Sequence, residues 1–482
     1  MRDENKMNQK QEKGLKLLNI GVIGGCMVVM FCLCLQKSLT YDEAYTIGMI
    51  SRSYGDIIDI TANDVHTPFY YFVLKFFCDL FGPWKMQAAK LFSLLFFGGH
   101  LIVGGCICRK IYNRKVEFYW LLLAGIMPAM VVQATCARMY TLGLFLFTLT
   151  IYQAYSIWQE EKISKWVGFT ITAVLTMYVH TYSMLEIFVL YVLLAILILK
   201  KKRYKSLVPY SISGVIAAIC YIPWLLVLME QMGTRSAKSD IPKLTYYEVD
   251  SYFAEWFSNL ENPQPLAILF GIALFIYISY YVRKYVSETK DYIPYAGLLI
   301  AAVVVTAAFI LSANVVNSFL GRYIFPVFGA IWLFVAVGLE KVESYWKKGV
   351  IVFGIIVCGF FAYKEEWRLE QDAGVELYLS FMEENLGEND VIMADMFTDT
   401  MISVYIPQAQ YMVYGYKEPY LPFANLDAFQ RWEQLDGVDT VWYVERTPGK
   451  ANVLEEYYNR EPALEFSFSH YTFTLEKLTR KK

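Results

Sequence analysis

Long apolar runs separated by short charged segments fill the first three quarters of the chain. A bilayer core about 30 Å thick needs about 20 apolar residues in a helix. Eleven runs approach this length: residues 17–35, 88–108, 118–132, 139–157, 166–179, 184–199, 207–229, 266–281, 293–311, 323–339 and 350–362. No small-x-small cleavage site follows the first run, so we expect an uncleaved helix there and not a signal peptide. The pattern predicts a polytopic α-helical membrane protein with about 11 transmembrane helices.

Lysine and arginine clusters in every second loop predict the orientation of these helices, because cytoplasmic loops carry the excess of basic residues. The clusters lie at residues 10–16, 109–115, 162–165, 200–205, 283–284 and 347–348. We therefore expect a multi-pass protein of the cell membrane with a cytoplasmic N-terminus. An odd number of spans then puts the chain after residue 362 on the extracytoplasmic side.

Three segments on the predicted outer side are long enough to fold: residues 36–87, 230–265 and 363–482. The first contains apolar pieces such as FYYFVLKFFCDLFG between polar turns, which is typical of amphipathic helices in the membrane interface. In the last segment, helical VELYLSFMEENL precedes strand-like VIMAD, and LDAFQRWEQL precedes TVWYVE in the same order of helix and strand. An alternating segment ends the chain. We predict a transmembrane module over residues 1–363 and a small extracytoplasmic α/β domain over residues 364–482.

Composition supports a membrane protein and argues against other classes. Hydrophobic residues make up 56% and charged residues 18% of the chain, whereas a soluble domain has roughly a quarter charged residues. The net charge of −2 leaves no positive excess for a nucleic acid partner. The nine cysteines include no CxxC pair, so we expect small core residues and not a disulfide framework or a zinc site. His100 lies mid-span and is expected to be a hydrogen-bonded core residue.

An acidic pair, Asp42 and Glu43 in SLTYDEAYT, follows the first span by a few residues. Charged groups beside a span are costly and need an explanation. One explanation is a helix cap in which Thr40 or Asp42 accepts amide hydrogen bonds. The other, given equal weight, is a catalytic carboxylate.

A second polar cluster, ANDVHTPFYY, places Asp64 and His66 in the same predicted outer loop. Asn63 or Asp64 is suited to cap the aromatic helix that starts near Pro68. Two acidic clusters in one loop, with one of only four histidines beside the second, favour a shared pocket at the outer surface.

Arginines open two predicted spans at the same membrane face. Arg138 in QATCARMYTLGLF starts the fourth span, and Arg322 with Tyr323 in NVVNSFLGRYIFP starts the tenth. Each arginine either extends to the lipid headgroups or binds a phosphate with its guanidinium fork. The further candidates at this face are Tyr140, His180 and Tyr182.

Four motifs together resemble a known family: YDEAY after the first span, NDVHTPFYY in the same loop, ARMYTLGLFL opening the fourth span and GRYIFP opening a late span. The combination is similar to the GT-C glycosyltransferases that use polyprenyl-phosphate sugars. More narrowly, it resembles the bacterial branch of the dolichyl-phosphate-mannose-protein mannosyltransferase and aminoarabinose-transferase-like family, glycosyltransferase family 39. The resemblance covers about the first three quarters of the chain and does not include the tail.

The resemblance implies transfer of a sugar from a polyprenyl-phosphate donor to an acceptor hydroxyl on the extracytoplasmic side. It makes Asp42 the general base, and Glu43 then orients the acceptor or helps to hold a divalent ion. The second motif usually reads Asp-x-His-Pro-Pro-Leu in the family. Here Thr67 stands for the first proline and Phe69 for the leucine, while the polar residues are kept. The candidate ligands for Mg²⁺ or Mn²⁺ are Asp42, Glu43, Asp64 and His66.

These residue types suit the implied reaction. A carboxylate within hydrogen-bond reach removes the acceptor proton as the hydroxyl attacks the anomeric carbon. Arg138 and Arg322, with Tyr140 and Tyr323 beside them, are suited to stabilise the departing phosphate, and a single displacement inverts the anomeric centre. The chain has no Walker loop or Rossmann glycine pattern, so we expect no nucleotide cofactor. The expected partners are the lipid-linked donor, membrane lipids and an acceptor that is a protein, a glycolipid or a wall polymer.

A transporter or flippase for a lipid-linked or small-molecule substrate is the main alternative, because many spans with few buried charges also describe transporters. Two features count against it: no repeat relates the halves of the chain, and the acidic residues cluster in an outer loop. A scaffold protein with an outer α/β domain is a third possibility. A polysaccharide ligase or polymerase would share the lipid-linked donor.

Overall fold

The structure is a computed structural model. It describes residues 2–64, 66–235, 245–258, 265–314, 319–395, 397–414, 426–429, 431–438, 440–446 and 457–481. The helices of this part are α1 (Arg2–Cys34), α2 (Tyr41–Ile50), α3 (Tyr54–Ala62), α4 (Phe69–Cys78), α5 (Lys85–Ile111), α6 (Arg114–Ile126), α7 (Pro128–Thr135), α8 (Tyr140–Gln159), α9 (Ile163–Met177), α10 (Thr181–Lys200), α11 (Leu207–Arg235), α12 (Tyr246–Glu255), α13 (Pro265–Thr289), α14 (Ala296–Asn314), α15 (Phe328–Lys341), α16 (Tyr345–Leu369), α17 (Ala373–Asn385) and α18 (Thr398–Ser403). The strands are β1 (Val391–Asp395), β2 (Gln410–Tyr414), β3 (Leu426–Ala428), β4 (Val441–Glu445), β5 (Tyr458–Phe468) and β6 (Tyr471–Arg480).

Each of the eleven predicted spans coincides with helical structure. The span predicted at 118–132 is α6 followed by α7, and the two helices meet at a bend of 61°. Pro128 opens α7, where its missing amide hydrogen costs nothing, but its ring prevents α6 from continuing straight. The span predicted at 323–339 begins with a 3₁₀ helix, Gly321–Val327, that contains Pro326 and leads into α15.

Eight helices in the described part of the chain are long and apolar enough to cross a membrane, and nine are if the bent pair counts as one span. The other two predicted spans are α8, with 20 residues, and α9, with 15. Threonine, tyrosine and glutamine residues interrupt the apolar sequence of α8. At about 1.5 Å per residue, α9 is shorter than the bilayer core is thick.

The amphipathic helices predicted in the first outer loop are present as α2, α3 and α4. Lys75 of α4 donates a hydrogen bond to the carbonyl of Ile50, the last residue of α2, at 3.0 Å. The ring of Tyr54 also packs edge-on against Phe72, with centroids 5.3 Å apart. Side chains of α4 therefore contact the end of α2 and the start of α3.

The chain divides into two compact units. The first consists of Met1–Cys32, Thr61–Tyr70 and Leu91–Glu365, and the second of Leu33–Ile60, Tyr71–Lys90 and Glu366–Lys482. Residues of the first outer loop belong to both units. The domain boundary predicted after residue 363 stays a prediction.

The interior of the first unit is closely packed around a few polar side chains. His100 is fully buried, and its Nδ1 lies 2.8 Å from the hydroxyl of Thr148, which confirms its expected role in the core. A Cβ atom on Gly329 would lie 2.6 Å from the His100 ring, so glycine is needed for this close approach. Trp120 donates to the carbonyl of the same glycine at 2.7 Å.

The second unit contains a six-stranded sheet in the order β3-β2-β1-β4-β6-β5. The first four strands of this order are parallel, and β5 and β6 form an antiparallel hairpin at one edge. β1 and β4 are buried along their whole length, as expected for central parallel strands. The predicted α/β fold of the tail is confirmed.

One segment of the tail differs from its expected structure. The periodicity of LDAFQRWEQL favours a helix, but the structure has β3 and then a 3₁₀ helix, Trp432–Leu435. Parallel pairing of β3 with β2 satisfies backbone groups that a helix would have paired internally. Tertiary pairing thus overrides the local helical pattern.

Candidate active site

The acidic pair of the first outer loop stands at the start of α2, in the second unit. Thr40 is the N-cap, and the Thr40 and Glu43 side chains form a reciprocal capping box. The Glu43 carboxylate accepts from the Thr40 amide and hydroxyl, both at 3.0 Å. The cap predicted for Thr40 is therefore confirmed, and it is Glu43 that completes it.

Asp42 occupies the second position of the same helical turn and is half-buried. Its backbone carbonyl accepts from the Thr46 hydroxyl at 2.9 Å, so the first turn of α2 is fixed by side-chain bonds as well as by the cap. A helix N-terminus favours negative charge. The local structure therefore suits an ionised carboxylate at Asp42.

In the first unit, His66 and Arg138 form a pair. Arg138 follows α7 after a tight turn in which its amide donates to the Cys136 carbonyl at 2.7 Å. The arginine is only 2% exposed, and its Nη2 lies 2.9 Å from His66 Nε2. Since a guanidinium nitrogen only donates, His66 Nε2 is the acceptor. Thr67, beside the histidine, donates from its buried hydroxyl to the Tyr178 carbonyl.

The second arginine, Arg322, pairs with a tyrosine at the start of another helix. Arg322 lies in the 3₁₀ helix before α15, and its Nε donates to the hydroxyl of Tyr140 at 2.8 Å. Tyr140 is the first residue of α8 and is nearly fully buried. Arg322 thus meets the N-terminal end of α8, whereas Arg138 meets His66 in the first outer loop.

His180 lies near both arginine pairs. It is the N-cap of α10, and its Nδ1 accepts from the Tyr182 amide at 3.2 Å. Burial lowers the pKa of His180 well below its usual range. The neighbouring His66, Arg138 and Arg322 lower this pKa further. A neutral imidazole in this position leaves the two guanidinium groups as the local positive charges.

Aromatic rings enclose this histidine. The ring of His180 lies 4.4 Å from that of Tyr323 and 6.2 Å from that of Tyr140, measured between centroids. Tyr182 stacks on Tyr323 at 5.6 Å. The structure therefore brings seven predicted residues into one chain of contacts or charge interactions: His66, Arg138, Tyr140, His180, Tyr182, Arg322 and Tyr323.

The remaining predicted residues are Asp64 and the acidic pair of α2. The Asp64 amide donates to the Thr61 carbonyl at 3.2 Å, and the roles predicted for Asp64 in the pocket and as a cap on α4 stay predictions. Asp42 and Glu43 belong to the second unit. In the described part of the chain, no group of three or more histidine, cysteine, aspartate or glutamate side chains is arranged to hold a metal ion.

The sequence interpretation missed two acidic residues of the first unit. Glu255 ends α12, and burial raises its pKa to about 7, against the opposing effect of Arg322. Glu186 is fully buried in α10. It lies inside the predicted apolar run of residues 184–199, two residues after the start of that run. A lone acid inside an apolar run was a usable signal for Glu186. Glu255 had no such signal, because α12 is a short polar helix between apolar runs.

Comparison with known proteins identifies the fold that carries these residues. The family model of dolichyl-phosphate-mannose-protein mannosyltransferase matches residues 65–227, which include His66, Arg138 and His180. The crystal structure of ArnT from Cupriavidus metallidurans in the apo state aligns over 95% of this chain and 97% of that chain, with a TM-score of 0.64 and 12% identity. The chain has the GT-C fold. No curated protein matches the sequence in a direct comparison.

Two further structures are similar. ArnT from Cupriavidus metallidurans bound to undecaprenyl phosphate has the same TM-score of 0.64, identity of 12% and coverage of 95% and 97%. The archaeal oligosaccharyltransferase AglB from Archaeoglobus fulgidus, in complex with an inhibitory peptide and a dolichol-phosphate, aligns over 81% of this chain and 64% of that chain. Its TM-score is 0.47 and its identity 10%.

These findings confirm the predicted resemblance and the predicted GT-C fold class with a small C-terminal α/β domain. The family match confirms the predicted enzyme class, a glycosyltransferase, and the apolar helices confirm a multi-pass membrane protein. Asp42 and Glu43 precede the residues that the family model matches. Their catalytic roles stay predictions.

Proposed function

We propose that this GT-C protein moves a sugar from a polyprenyl-phosphate donor to an acceptor hydroxyl on the extracytoplasmic side of the membrane. The observation that carries the proposal is the cluster of two arginine pairs, Arg138 with His66 and Arg322 with Tyr140, around the neutral His180. ArnT, which shares the fold, has been crystallised with undecaprenyl phosphate. A lipid phosphate is the ligand class that this cluster fits best.

Charge and helix geometry support a phosphate in this place. Tyr140 and Thr181 begin α8 and α10, and the amides of a helix start point outward with a partial positive charge. Guanidinium groups match phosphate oxygens with two donors at once. Since Arg138 is almost fully buried, its charge is weakly screened and interacts strongly with an anion.

In the proposed reaction, the Asp42 carboxylate accepts the proton of the acceptor hydroxyl while that oxygen bonds to the anomeric carbon. The bond from the anomeric carbon to the phosphate oxygen breaks, and the electron pair leaves with the polyprenyl phosphate. Arg138 and Arg322 stabilise the charge that develops on this phosphate. Attack opposite to the leaving group inverts the anomeric centre.

The other predicted residues have supporting tasks in this proposal. Glu43 holds the first turn of α2 through its bonds to Thr40. Orientation of the acceptor by Glu43, Asp64 or His66, and binding of Mg²⁺ or Mn²⁺ by these groups with Asp42, stay predictions. The acceptor remains a protein, a glycolipid or a wall polymer.

Binding of undecaprenyl phosphate to the full chain in lipid nanodiscs tests the arginine cluster, because this lipid is the common product whatever the sugar. A charge-assisted hydrogen bond contributes about 1.5–3 kcal/mol, which corresponds to about 10- to 100-fold in Kd. We expect Arg138→Ala and Arg322→Ala each to weaken binding by this factor.

Arg109→Ala is the matched control. Arg109 is also an arginine at a helix end, but it bonds to Cys106 and Glu117 and its side chain is 39% exposed. Its removal should leave the Kd within a factor of two or so, since exposed ion pairs contribute about 0–1 kcal/mol. Equal affinity of the wild type, Arg138→Ala and Arg322→Ala would show that the phosphate binds elsewhere.

A further inference from the structure

The short segment that joins α1 to α2, residues Lys37 to Leu39, is held by an unusual number of side chains within the second unit. Five of its backbone polar groups bond to three residues from distant parts of the sequence, which are Lys90, Asp372 and Tyr405. Loops usually leave their backbone groups to water. This segment is therefore fixed in place by its surroundings.

Lys90 is the first of these three residues. Its side chain is fully buried, and its Nζ donates to the Ser38 carbonyl and to the Glu370 carboxylate, both at 2.7 Å. The Glu43 carboxylate is also close enough to interact with the ammonium group. A buried cation is costly unless it is paired and hydrogen-bonded. The Lys90 ammonium group therefore depends on the Ser38 carbonyl and holds it in place.

Asp372 and Tyr405 hold the same segment from the C-terminal part of the unit. Asp372 stands at the N-cap position of α17, but its carboxylate makes no cap and instead accepts from the amides of Lys37 and Ser38. The Tyr405 hydroxyl accepts from the Leu39 amide and donates to the Lys37 carbonyl, both at 3.1 Å. Asp372 therefore binds this segment in place of capping its own helix, and the Tyr405 hydroxyl bridges the two ends of the segment.

Thr40, the N-cap of α2, follows Leu39 directly, so the held segment sets where the capping box starts. Asp42 lies only two residues further, in the first helical turn. Loss of one contact would let the segment sample other backbone conformations, and the Asp42 carboxylate would move with it. A misplacement of about 1 Å costs a catalytic group about 100-fold in rate.

We propose that Lys90, Asp372 and Tyr405 are positioning residues that hold the Lys37 to Leu39 segment and thereby place the Asp42 carboxylate. The C-terminal domain is then a part of the catalytic apparatus, because it supplies Asp372, Tyr405 and the partner of Lys90. This proposal rests on the proposed function only for the identity of Asp42 as the base. The contacts themselves are independent of the reaction.

Tyr405→Phe is the least disruptive test of the proposal, because it removes one hydroxyl and keeps the ring, whose centroid lies 5.6 Å from that of Phe468. Tyr411→Phe is the matched control: it removes the bond from a buried tyrosine of the same domain to the Ile406 carbonyl. Two quantities are measured on the full chain in nanodiscs. One is amide hydrogen exchange in residues 36–44, and the other is release of undecaprenyl phosphate from undecaprenyl-phosphate-linked sugars.

We expect Tyr405→Phe to speed exchange in residues 36–44 and to lower kcat by about 10- to 100-fold with KM for the donor changed by less than about threefold. Tyr411→Phe should change neither quantity. A double variant, Lys90→Met with Glu370→Gln, removes both buried charges at nearly constant volume and should act like Tyr405→Phe. Its folding is checked by its elution as a monodisperse species.

Two outcomes would overturn the positioning role. One is that Tyr405→Phe exchanges faster in residues 36–44 but keeps its kcat, while Asp42→Asn inactivates the enzyme. The other is unchanged exchange, which would show that the segment does not depend on the hydroxyl. A fully active Asp42→Asn enzyme would refute the catalytic role of Asp42 instead, so failure of the proposed function is distinguishable from failure of the positioning role.

Discussion

At the scale of single residues, Thr67 gives the second motif a contact that the family's proline cannot make. Its buried hydroxyl donates to the carbonyl of Tyr178, at the C-terminal end of α9. His66 is the preceding residue and pairs with Arg138. The threonine therefore fixes the backbone next to the histidine by a hydrogen bond, where a proline would fix it by its ring.

Glu255 makes a pH-dependent contribution to the arginine cluster. Burial raises its pKa to about 7, and the helix that carries it contacts the Arg322 turn through the bond from Tyr252 to the Phe319 carbonyl. Below pH 7 the carboxyl is mostly neutral, and above pH 7 its negative charge offsets Arg322. We expect undecaprenyl phosphate to bind the wild type more weakly than Glu255→Gln at pH 8 and equally at pH 6.

The difference between wild type and Glu255→Gln is the informative quantity, because titration of the lipid phosphate is common to both proteins. The same raised pKa also affects stability: the folded state holds the proton more tightly, so stability is highest below the unfolded pKa and is lost as pH rises through about 7. Parallel binding curves for the two proteins from pH 6 to pH 8 would show that Glu255 does not act on the site.

The sequence predicted seven residues of the cluster from their places in the first outer loop or at the outer face of the spans, yet it could not pair them. Spacing does not reveal that Arg322 bonds to Tyr140, because 182 positions separate them. It also left the cap and the catalytic carboxylate as alternatives at Thr40, Asp42 and Glu43. The structure gives the cap to Thr40 and Glu43. That outcome is compatible with a catalytic Asp42.

At the scale of elements, close packing of α17 on the terminal hairpin defines the C-terminal domain. A Cβ atom on Gly374 would lie 1.8 Å from the Ser467 carbonyl oxygen, and Tyr378 stacks on Phe466 at 4.9 Å. We expect Gly374→Ala to lower the free energy of unfolding by about 1–3 kcal/mol, because the helix must move away from β5. Thermal unfolding in detergent measures the loss.

Gly349→Ala serves as the control for this prediction. Gly349 also lies in a helix, and a Cβ there would meet no atom within 4 Å. Alanine has the higher helix propensity, so the control should unfold at the same temperature or slightly higher. If Gly374→Ala unfolds like the control, the close approach of α17 and β5 is not what stabilises the domain.

Helix positions were predictable because apolar runs of sufficient length are almost always helices in membrane proteins. The internal form of a span was not: the 61° bend between α6 and α7 depends on one proline within an apolar run. Local periodicity also failed for β3, where pairing with β2 decides the structure. Long-range contacts of this kind leave no periodic signal in the sequence.

At the scale of the whole molecule, the parity of the spans sets which side of the membrane the tail occupies. α8 and α9 follow each other, so counting both or neither leaves the parity unchanged. The counts of nine and eleven spans, which include the bent pair of α6 and α7, are both odd. Without this pair the count is even. The extracytoplasmic position of the C-terminal domain stays a prediction that depends on this pair crossing the membrane.

Sugar transfer by the wild type and Asp42→Asn is the most direct test of the account. The purified chain is incubated with a panel of radiolabelled undecaprenyl-phosphate sugars and bacterial envelope fractions as acceptor. We expect label in a covalent product for at least one sugar, and a loss of about 100-fold or more in Asp42→Asn. Binding of undecaprenyl phosphate and the amount of protein in the membrane should stay normal. Full activity of Asp42→Asn, or label that accumulates in sealed vesicles without a covalent product, would contradict the account.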